Sequence, residues 1–273
     1  MDINSAQIEA ANRLAREVRK SVVTMTHNSQ SSHVGSALSV ADILCALYEC
    51  VADIRPDNLS SPTRDVLILS KGHAAAALYA VLAHKRFFPM SWLDAYCTNG
   101  NPLAGHVTAS QVPGVELSTG SLGHGLPYGV GIALGRKRAA IEGRVIVVMS
   151  DGECDEGTTW ESALLANHHR LENLLVIIDR NNFQSLRKTE ETLKLEPLVD
   201  KWISFGWTTE VIDGHNFGEI VESTKKKNGP VVVIANTVKG KGVSFMENTV
   251  MWHYKSPSKH EHTLALSELT DTQ

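Results

Sequence analysis

Two short apolar runs, each followed at once by oxygen-bearing side chains, constrain the fold more than any other feature. The first run, 145–149, precedes Asp151, and the second, 174–178, precedes Asn181. Continuous apolar runs of this length are typical of strands buried on both faces of a parallel sheet. Residues 158–171 between them suffice for a helical crossover, so the sequence predicts a βαβ unit.

We therefore expect Asp151 and Asn181 to leave the same edge of the sheet, where open α/β sheets bind their ligands. A carboxylate, an amide oxygen and nearby backbone carbonyls suit Mg²⁺ or Ca²⁺. Gly152 would let the backbone approach a phosphate group, next to a helix N-terminus. Taken alone, Asp151-Gly152 is explained as an ordinary turn, and Asn181 as the cap of the next element. Because both follow buried strands, the two together favour the ligand site.

Strand and helix patterns alternate along the chain, which predicts an α/β fold with a mostly parallel sheet and helices on both faces. Further strands are predicted at 66–69, 207–211 and 231–235, and helices at 5–26, 39–48, 74–85, 125–141, 198–205 and 217–227. The glycine-rich segment 98–125 is predicted to form neither a helix nor a strand. Loops of this length are usually functional. We interpret residues 1–273 as one domain with a loop-rich tail from about residue 240 to 273.

Composition excludes several functions. The 273 residues are 42% apolar and carry a net charge of −4. Positive charge clusters only in the lysines 225–227, at the predicted end of a helix, so nucleic acid binding is not indicated. The four cysteines form no C-x-x-C pair, which favours a reduced, cytoplasmic protein. We find no signal peptide pattern and no apolar run near 18 residues, and expect no membrane span.

Four histidines call for a common explanation. His33, His73 and His106 stand in glycine-containing, turn-like segments, and His253 lies near the end of the chain. A lone histidine in such a place is usually a hydrogen-bonded turn residue. Imidazole can donate to an oxyanion and exchange protons near neutral pH, so four of them beside a predicted ligand site favour a shared function.

In order along the chain, these segments resemble the N-terminal, diphosphate-binding part of transketolase. The matching segments are 32–35, 69–73, 105–106, 113–125, 151–157 and Asn181. Asp151-Gly152 and Asn181 also resemble the thiamin diphosphate signature, with Ser150 in place of its first glycine. The resemblance implies a thiamin diphosphate-binding fold of the diphosphate-side (PP) type, with thiamin diphosphate and Mg²⁺ (or Ca²⁺) as cofactors.

The resemblance also implies roles for particular residues. The implied metal ligands are Asp151, Asn181 and the backbone carbonyl of Phe183. The implied cofactor contacts are His73, Gly120, Leu122, Gly152, Glu153, Asn181 and His253. The implied catalytic residues are His33, His106 and Glu156, the two histidines facing the substrate.

Four features need separate comment. His124 occupies a position where many transketolases carry glutamine, and Tyr254 is bulkier than the glycine expected there, which would narrow the entrance. The glycines of 120–125 do not follow the order of a dinucleotide-binding fingerprint, and the residues before them make a poor strand. The segment 239–242 could cradle a substrate phosphate or be a flexible basic loop.

The chain ends where a full transketolase would have run about half its length. The resemblance therefore implies one subunit of a split transketolase, which transfers a two-carbon ketol unit from a ketose (phosphate) to an aldose-type acceptor. The implied partner is a C-terminal subunit with the pyrimidine-binding domain, in an α2β2 assembly. Two alternatives are the α-subunit of a 2-oxo acid decarboxylase or dehydrogenase and a non-catalytic scaffold. His33 and His106 favour a sugar, and the complete cofactor set disfavours the scaffold.

Overall fold

A parallel sheet forms the centre of the protein. In residues 5–225 and 227–271, which the computed structural model describes, the sheet has five strands in the order β1-β2-β3-β5-β4. The strands are β1 (Val66–Leu69), β2 (Val145–Ser150), β3 (Leu174–Arg180), β4 (Thr208–Asp213) and β5 (Val231–Asn236). All four neighbouring pairs are parallel, as predicted.

Two helices precede β1, and helices then separate each strand from the next, which completes the α/β fold. They are α1 (Ser5–Ser29), α2 (Val34–Ala46), α3 (Ala75–His84), α4 (Gly125–Arg138), α5 (Gly157–His168), α6 (Thr189–Thr192), α7 (Leu198–Ser204), α8 (Phe217–Ser223) and α9 (Lys259–Asp271). Helix α5 makes the predicted crossover between β2 and β3, whose ends pair Ser150 with Asp179. Asp151 and Asn181 therefore leave the same sheet edge.

Both faces of the sheet are covered by apolar packing. Along β2, Ile146 and Val148 point into a core with α1, α2, α3, α8 and α9. Val145, Val147 and Met149 point into the opposite core with α4, α5 and α7. Because successive residues of a strand face opposite sides, a strand between two cores is apolar at every position. This explains the continuous apolar runs of the sequence.

The elements differ from the expectations mainly at their ends. Helix α2 begins at Val34, before the predicted start at residue 39, and α8 ends at Ser223, short of residue 227. Lys226 in the predicted helix end lies outside the described residues. The largest correction concerns the tail, which was expected to be loop-rich but contains the 13-residue helix α9 packed against the core that includes α1.

Among the described residues, one stretch meets the length and hydropathy of a membrane-spanning helix, contrary to the expectation that no apolar run approaches 18 residues. Val34–Val51 has a mean hydropathy of 1.6, and 83% of it is buried inside the fold. Core helices meet the same criteria, because a helix packed on all sides is apolar all round.

Candidate active site

A cavity of about 220 Å³ lies at the carboxyl edge of the sheet, where the loops after β1, β2 and β3 meet the start of α2. Sequence-predicted site residues account for most of its lining: His33, His73, His106, Gly120, Leu122, Asp151, Gly152, Asn181, Phe183 and His253. Ser36, Ser150, Gln184, Ser185 and Tyr254 complete it. The structure therefore brings together residues from His33 to Tyr254, which are 221 positions apart in the chain.

Asp151 is buried at the end of β2, and its two carboxylate oxygens have different surroundings. Oδ2 accepts hydrogen bonds from Arg180 Nη1 at 3.0 Å, the Asn182 backbone at 3.0 Å and Thr189 Oγ1 at 3.1 Å. Within the described residues, Oδ1 accepts one hydrogen bond, from the Gly152 backbone at 2.8 Å. Burial raises the pKa of the Asp151 carboxyl, although Arg180 opposes the rise. Oδ1 therefore keeps a lone pair for a cation.

Asn181 shapes the loop after β3. Its Oδ1 accepts a hydrogen bond from the Phe183 backbone at 3.0 Å, and its Nδ2 donates to Ser39 Oγ at 3.1 Å. The Asp151 carboxylate, the Asn181 amide oxygen and the Phe183 carbonyl are hard oxygen donors of the kind that Mg²⁺ accepts. The donor set therefore fits the predicted ion.

Among the described residues that line the cavity, Asp151 is the one carboxylate. No group of three or more His, Cys, Asp or Glu side chains suited to a metal occurs between residues 5 and 225 or 227 and 271. Mg²⁺ is commonly held by one or two carboxylates together with phosphate oxygens and water. The donors present here suit an ion that is bound together with a phosphorylated ligand.

The four histidines form one group around His33. The ring centroid of His33 lies 4.9 Å from that of His253 and 5.4 Å from those of both His73 and His106. His33 precedes α2 in the left-handed region, with φ of 73°, and its backbone N–H donates to the His253 carbonyl at 2.7 Å. That hydrogen bond joins the start of α2 to the segment that carries His253.

Three imidazoles of this group, those of His33, His73 and His253, are held neutral. Burial, with the neighbouring His106 and Lys239, lowers the pKa of His33 to about 4. Burial, with Lys239 and His33, lowers the pKa of His253 to about 3. Burial, together with Lys71, also lowers the pKa of His73 well below its usual value. A neutral ring donates with one nitrogen and accepts with the other, so each can serve an anion or a hydroxyl.

Two buried lysines lie behind the histidines. Lys71, directly after β1, forms a fully buried ion pair with Asp179 and also donates to the Ser36 carbonyl at 3.2 Å. The sequence analysis did not single out Lys71 or Asp179. The only signal was their position: Lys71 precedes Gly72-His73, and Asp179 lies two residues before Asn181.

Lys239 differs from Lys71 in its partners. Its fully buried Nζ lies 3.0 Å from His253 Nδ1 and 3.2 Å from the Gln184 carbonyl, and both partners are uncharged. Burial, together with the charge of Lys71, lowers the pKa of Lys239 to about 8. An ammonium without a carboxylate in hydrogen-bond contact favours an anion nearby. Of the two possibilities for segment 239–242, this arrangement favours phosphate binding.

The glycine-rich loop forms another wall of the cavity. A Cβ atom at Gly120 would lie 3.2 Å from His106 Cδ2, so the imidazole packs directly on this backbone. Thr119 Oγ1 donates to the Leu69 carbonyl at 2.7 Å and attaches the loop to β1. The Tyr79 hydroxyl donates to the His106 carbonyl at 3.1 Å. These contacts hold Gly120 and His106 at the rim.

Two of the predicted site residues do not line the cavity. Glu153 is fully buried and accepts hydrogen bonds from Ser70 Oγ, the Ser150 backbone at 2.8 Å and the Gly123 backbone at 3.1 Å. These hydrogen bonds therefore connect the segment after β1, the end of β2 and the glycine-rich loop. Glu156 is exposed at the start of α5. Their proposed cofactor and catalytic roles stay predictions.

His124 and Tyr254, the two departures from the expected pattern, have different surroundings. His124 is exposed outside the cavity lining, where its Nδ1 donates to the Leu122 carbonyl at 3.0 Å. Tyr254 is 58% exposed at the cavity mouth, with its ring 4.8 Å from that of His253. Tyr254 thus occupies part of the entrance.

A parallel α/β sheet with hard oxygen donors, neutral histidines and a buried ammonium at its carboxyl edge defines a binding domain for a phosphorylated ligand. Comparison with known families specifies which domain. The family model described as "Transketolase, thiamine diphosphate binding domain" matches residues 10–268. The chain belongs to the transketolase family, which confirms the resemblance and the predicted fold.

Several relatives of similar length are described as transketolase subunits. The chain is 41% identical over 261 residues to a subunit of apulose-4-phosphate transketolase from Actinobacillus succinogenes, covering 94% of this chain and 95% of the relative. It is 39% identical over 259 residues to a subunit of 6-deoxy-6-sulfo-D-fructose transketolase from a Clostridium species, covering 93% of this chain and 94% of the relative.

Longer relatives are matched over less than half of their own length. Human transketolase is 30% identical over 265 residues, which are 96% of this chain and 42% of that protein. The crystal structure of Campylobacter jejuni transketolase superposes with a TM-score of 0.88 at 27% identity, covering 98% of this chain and 43% of the other. The chain thus corresponds to one part of these longer transketolases.

Proposed function

We propose that this chain is the diphosphate-binding subunit of a two-subunit transketolase. In the proposed reaction, a two-carbon ketol unit passes from a ketose, in phosphorylated form, to an aldose-type acceptor. The observation that carries the proposal is the single cavity in which the oxygens of Asp151, Asn181 and Phe183 meet His33 and the other three histidines. Family membership supplies the cofactor that this cavity suits.

The diphosphate and its metal ion would bind at the sheet edge. Asp151, Asn181 and the Phe183 carbonyl would hold Mg²⁺, and Ca²⁺ could replace it because its ligands are also oxygens. His73, His253 and the Gly152 backbone would contact the diphosphate, as the resemblance implies. When bound, thiamin diphosphate supplies the electron sink for cleaving a carbon–carbon bond.

His33 and His106 would act on the substrate. Both line the cavity, and the His106 imidazole packs against the Gly120 backbone at the rim. Imidazoles can donate to a carbonyl or hydroxyl oxygen and exchange protons with it. Gly120 and Leu122 would contact the aminopyrimidine part of the cofactor.

A partner subunit would complete the site. Relatives of this length are described as subunits, which implies a second chain in those enzymes. Exposed apolar side chains belong to the cavity lining or lie close to it in the chain, as expected for a docking surface. Tyr254 is 58% exposed, Leu186, next to Ser185, is 74% exposed, and Met251, two residues before His253, is 54% exposed. Exposed Glu156 is available to a partner as well. We propose an α2β2 assembly, because pairing of two-fold related halves completes both sites.

The sugar and the cellular location are further parts of the proposal. The names of the two relatives above contain apulose 4-phosphate and 6-deoxy-6-sulfo-D-fructose. A specialised sugar is therefore as suitable a candidate donor as xylulose 5-phosphate. The cysteines Cys45, Cys50, Cys97 and Cys154 are free, which suits a reducing cytoplasm.

Reconstitution with the partner tests the proposal. The full chain is purified alone and together with a candidate C-terminal transketolase subunit from the same organism, and both preparations are loaded with thiamin diphosphate and Mg²⁺. Calorimetry measures cofactor binding, and a panel of ketose donors and aldose acceptors measures transfer. We expect turnover only with both subunits. Robust turnover by the chain alone would contradict the two-subunit assignment.

The same experiment separates the two alternatives. A 2-oxo acid decarboxylase would release CO₂ from 2-oxo acids and leave the sugars untouched. A non-catalytic scaffold would show no calorimetric binding of thiamin diphosphate with Mg²⁺, alone or with the partner. Either result would replace the transketolase proposal.

A further inference from the structure

A second buried polar cluster lies outside the cavity and joins three separate parts of the chain. Arg19 of α1 donates to both carboxylate oxygens of Asp42 in α2, at 2.9 Å and 2.6 Å. His215, in the loop after β4, lies with its Nδ1 2.7 Å from Asp42 Oδ2. We name Arg19, Asp42 and His215 the α1–α2 cluster.

The α1–α2 cluster has stable charges. Burial by itself would raise the pKa of the Asp42 carboxyl, but Arg19 and the hydrogen bond from His215 outweigh it and hold that pKa at about 2. Asp42 is therefore ionised at every physiological pH. A paired, hydrogen-bonded carboxylate of this kind has one orientation available to it, which makes it a rigid support for neighbouring groups.

The cluster contacts the loop after β5 at two points. The Val238 backbone N–H donates to His215 Nε2 at 2.8 Å, and Arg19 Nε donates to the Lys241 carbonyl at 3.1 Å. Because Nε2 accepts from Val238, the ring proton of neutral His215 is on Nδ1, where it donates to Asp42. The two contacts lie on either side of Lys239.

The loop itself needs support. Gly240 and Gly242 both adopt the left-handed region, with φ of 82° and 92°. A Cβ atom at Gly240 would lie 2.3 Å from the Met246 carbonyl oxygen, so the backbone passes very close to the following segment. Glycines leave such a loop many alternative conformations in the absence of external contacts. Contacts from outside the loop therefore select the conformation that carries Lys239.

That conformation places the Lys239 ammonium directly behind the cavity lining, of which Lys239 itself is not a member. Its Nζ lies 3.0 Å from Nδ1 of His253, a residue of the cavity lining. The site consequently receives a positive charge from a loop whose position is set by residues on α1, on α2 and after β4. None of the three cluster residues lines the cavity.

We propose that Arg19, Asp42 and His215 are positioning residues that hold the 238–241 loop so that Lys239 meets the cofactor's diphosphate. The inference rests on the proposed function, because it takes thiamin diphosphate as the anion that Lys239 serves. The cluster acts through Lys239 and does not touch the cofactor.

A double-mutant cycle tests the inference on the full chain assembled with its partner subunit. His215→Phe keeps a ring but removes the contacts to Val238 and Asp42, and Lys239→Met removes the ammonium. Calorimetry with thiamin diphosphate and Mg²⁺ measures the dissociation constant of each variant. We expect each single variant to bind about tenfold more weakly, and the double variant to be no weaker than Lys239→Met alone.

Two further variants distinguish positioning from general damage. His215→Gln retains a donor and an acceptor and is expected to recover part of the affinity. His260→Phe, the same aromatic substitution at an exposed histidine of α9, is expected to bind like the wild type. Hydrogen exchange of the 238–241 amides should be faster in His215→Phe, while that of the β2 and β3 amides stays unchanged.

The outcomes are distinct for the two proposals. Wild-type affinity in His215→Phe, or losses that multiply in the double variant, would overturn the positioning role and leave the proposed function standing. A wild-type assembly that binds no thiamin diphosphate would overturn the proposed function and this inference together. If His215→Phe does not fold, the partial loss of affinity expected of His215→Gln is measured in the same cycle with Lys239→Met, and a loss that persists undiminished in that double variant would overturn the positioning role.

Discussion

The carboxylate of Asp151 and the guanidinium of Arg180 lie 3.0 Å apart, at the ends of neighbouring strands. Arg180 also forms ion pairs with Glu190 at 2.9 Å and Glu196 at 3.1 Å. The arginine therefore joins the proposed metal ligand to the segment around α6. Asp151 Oδ2 is held in place, and Oδ1 is left with capacity for a cation. A ligand oriented before binding loses less freedom when the ion arrives.

Replacing Asp151 should abolish metal-dependent cofactor binding. In Asp151→Asn the amide has nearly the same shape but no charge to offset Mg²⁺. We expect the affinity for thiamin diphosphate with Mg²⁺ to fall by more than about 100-fold, beyond the effect of residues that only orient a ligand. Calorimetry on the assembled enzyme measures it. Asp200→Asn, at an exposed position of α7, is the control. Unchanged affinity in Asp151→Asn would remove this carboxylate from the metal site.

Asp151→Asn is preferable to a deletion of the side chain for a structural reason. Asp151 accepts hydrogen bonds from the Asn182 backbone and Thr189, in addition to Arg180. Asp151→Ala would leave these buried donors without their acceptor. Each unsatisfied buried group lowers the free energy of unfolding by about 1–3 kcal/mol. The carboxylate therefore supports the surrounding structure as well as the proposed metal site.

Replacing Arg180 should destabilise the protein in a metal-dependent way. Arg180→Met leaves the buried Asp151 carboxylate without its cation, and removal of one partner of a buried pair costs about 3–5 kcal/mol. Bound Mg²⁺ would supply another positive charge, so we expect the loss to shrink when thiamin diphosphate and Mg²⁺ are present. Thermal unfolding with and without the ligands measures both values. The same loss in both conditions would show that Arg180 stabilises the protein independently of the metal site.

Substitutions of His106 and His73 should affect different quantities, turnover in the first case and cofactor affinity in the second. We expect His106→Ala to lower kcat by about 10²–10⁴-fold while cofactor affinity stays near the wild-type value, because its proposed partner is the substrate. His73→Ala should weaken cofactor binding instead. Steady-state kinetics and calorimetry on the same preparations measure both. If His106→Ala loses cofactor affinity as strongly as His73→Ala, His106 belongs to the diphosphate site.

Stability of the cofactor-free chain should fall as the pH falls below about 6.5. The unfolded histidines bind protons with a pKa of about 6.5. Folding lowers that pKa to about 4 for His33 and about 3 for His253, so only the unfolded state gains protons between these values. Each histidine should lower the free energy of unfolding by up to about 1 kcal/mol as the pH falls from about 7 to about 5.5. Partial exposure of the side chains reduces the effect.

Urea unfolding at the two pH values measures this dependence. His33→Gln and His253→Gln should each reduce the difference, because glutamine does not titrate. His260→Gln, at an exposed position, is the control and should leave the difference unchanged. Equal pH dependence in all three variants would show that the folded histidines titrate normally.

Much of the fold could be predicted because its strands are buried on both faces. Strands β2 and β3 begin at the predicted residues, Val145 and Leu174, since continuous apolar runs are the direct consequence of two flanking cores. Helix α9 was missed because it is polar on much of its surface. A signal for its start was present: Ser258 and Glu261 form reciprocal side-chain to backbone hydrogen bonds at its N-terminus, the pattern of a capping box.

The sequence by itself determined where the site lies. Asp151 and Asn181 directly follow strands, and parallel strands in one sheet must end at one edge, so local pattern and topology together locate them. Only the tertiary structure decided which charged side chains lie around Asp151 and Asn181. Arg180 pairs with Asp151 across 29 positions, and His215 with Asp42 across 173. The geometry of such pairs depends on how helices and loops pack after the sheet has formed. The periodicity of one segment reports its own burial but carries no information about the partner it will meet.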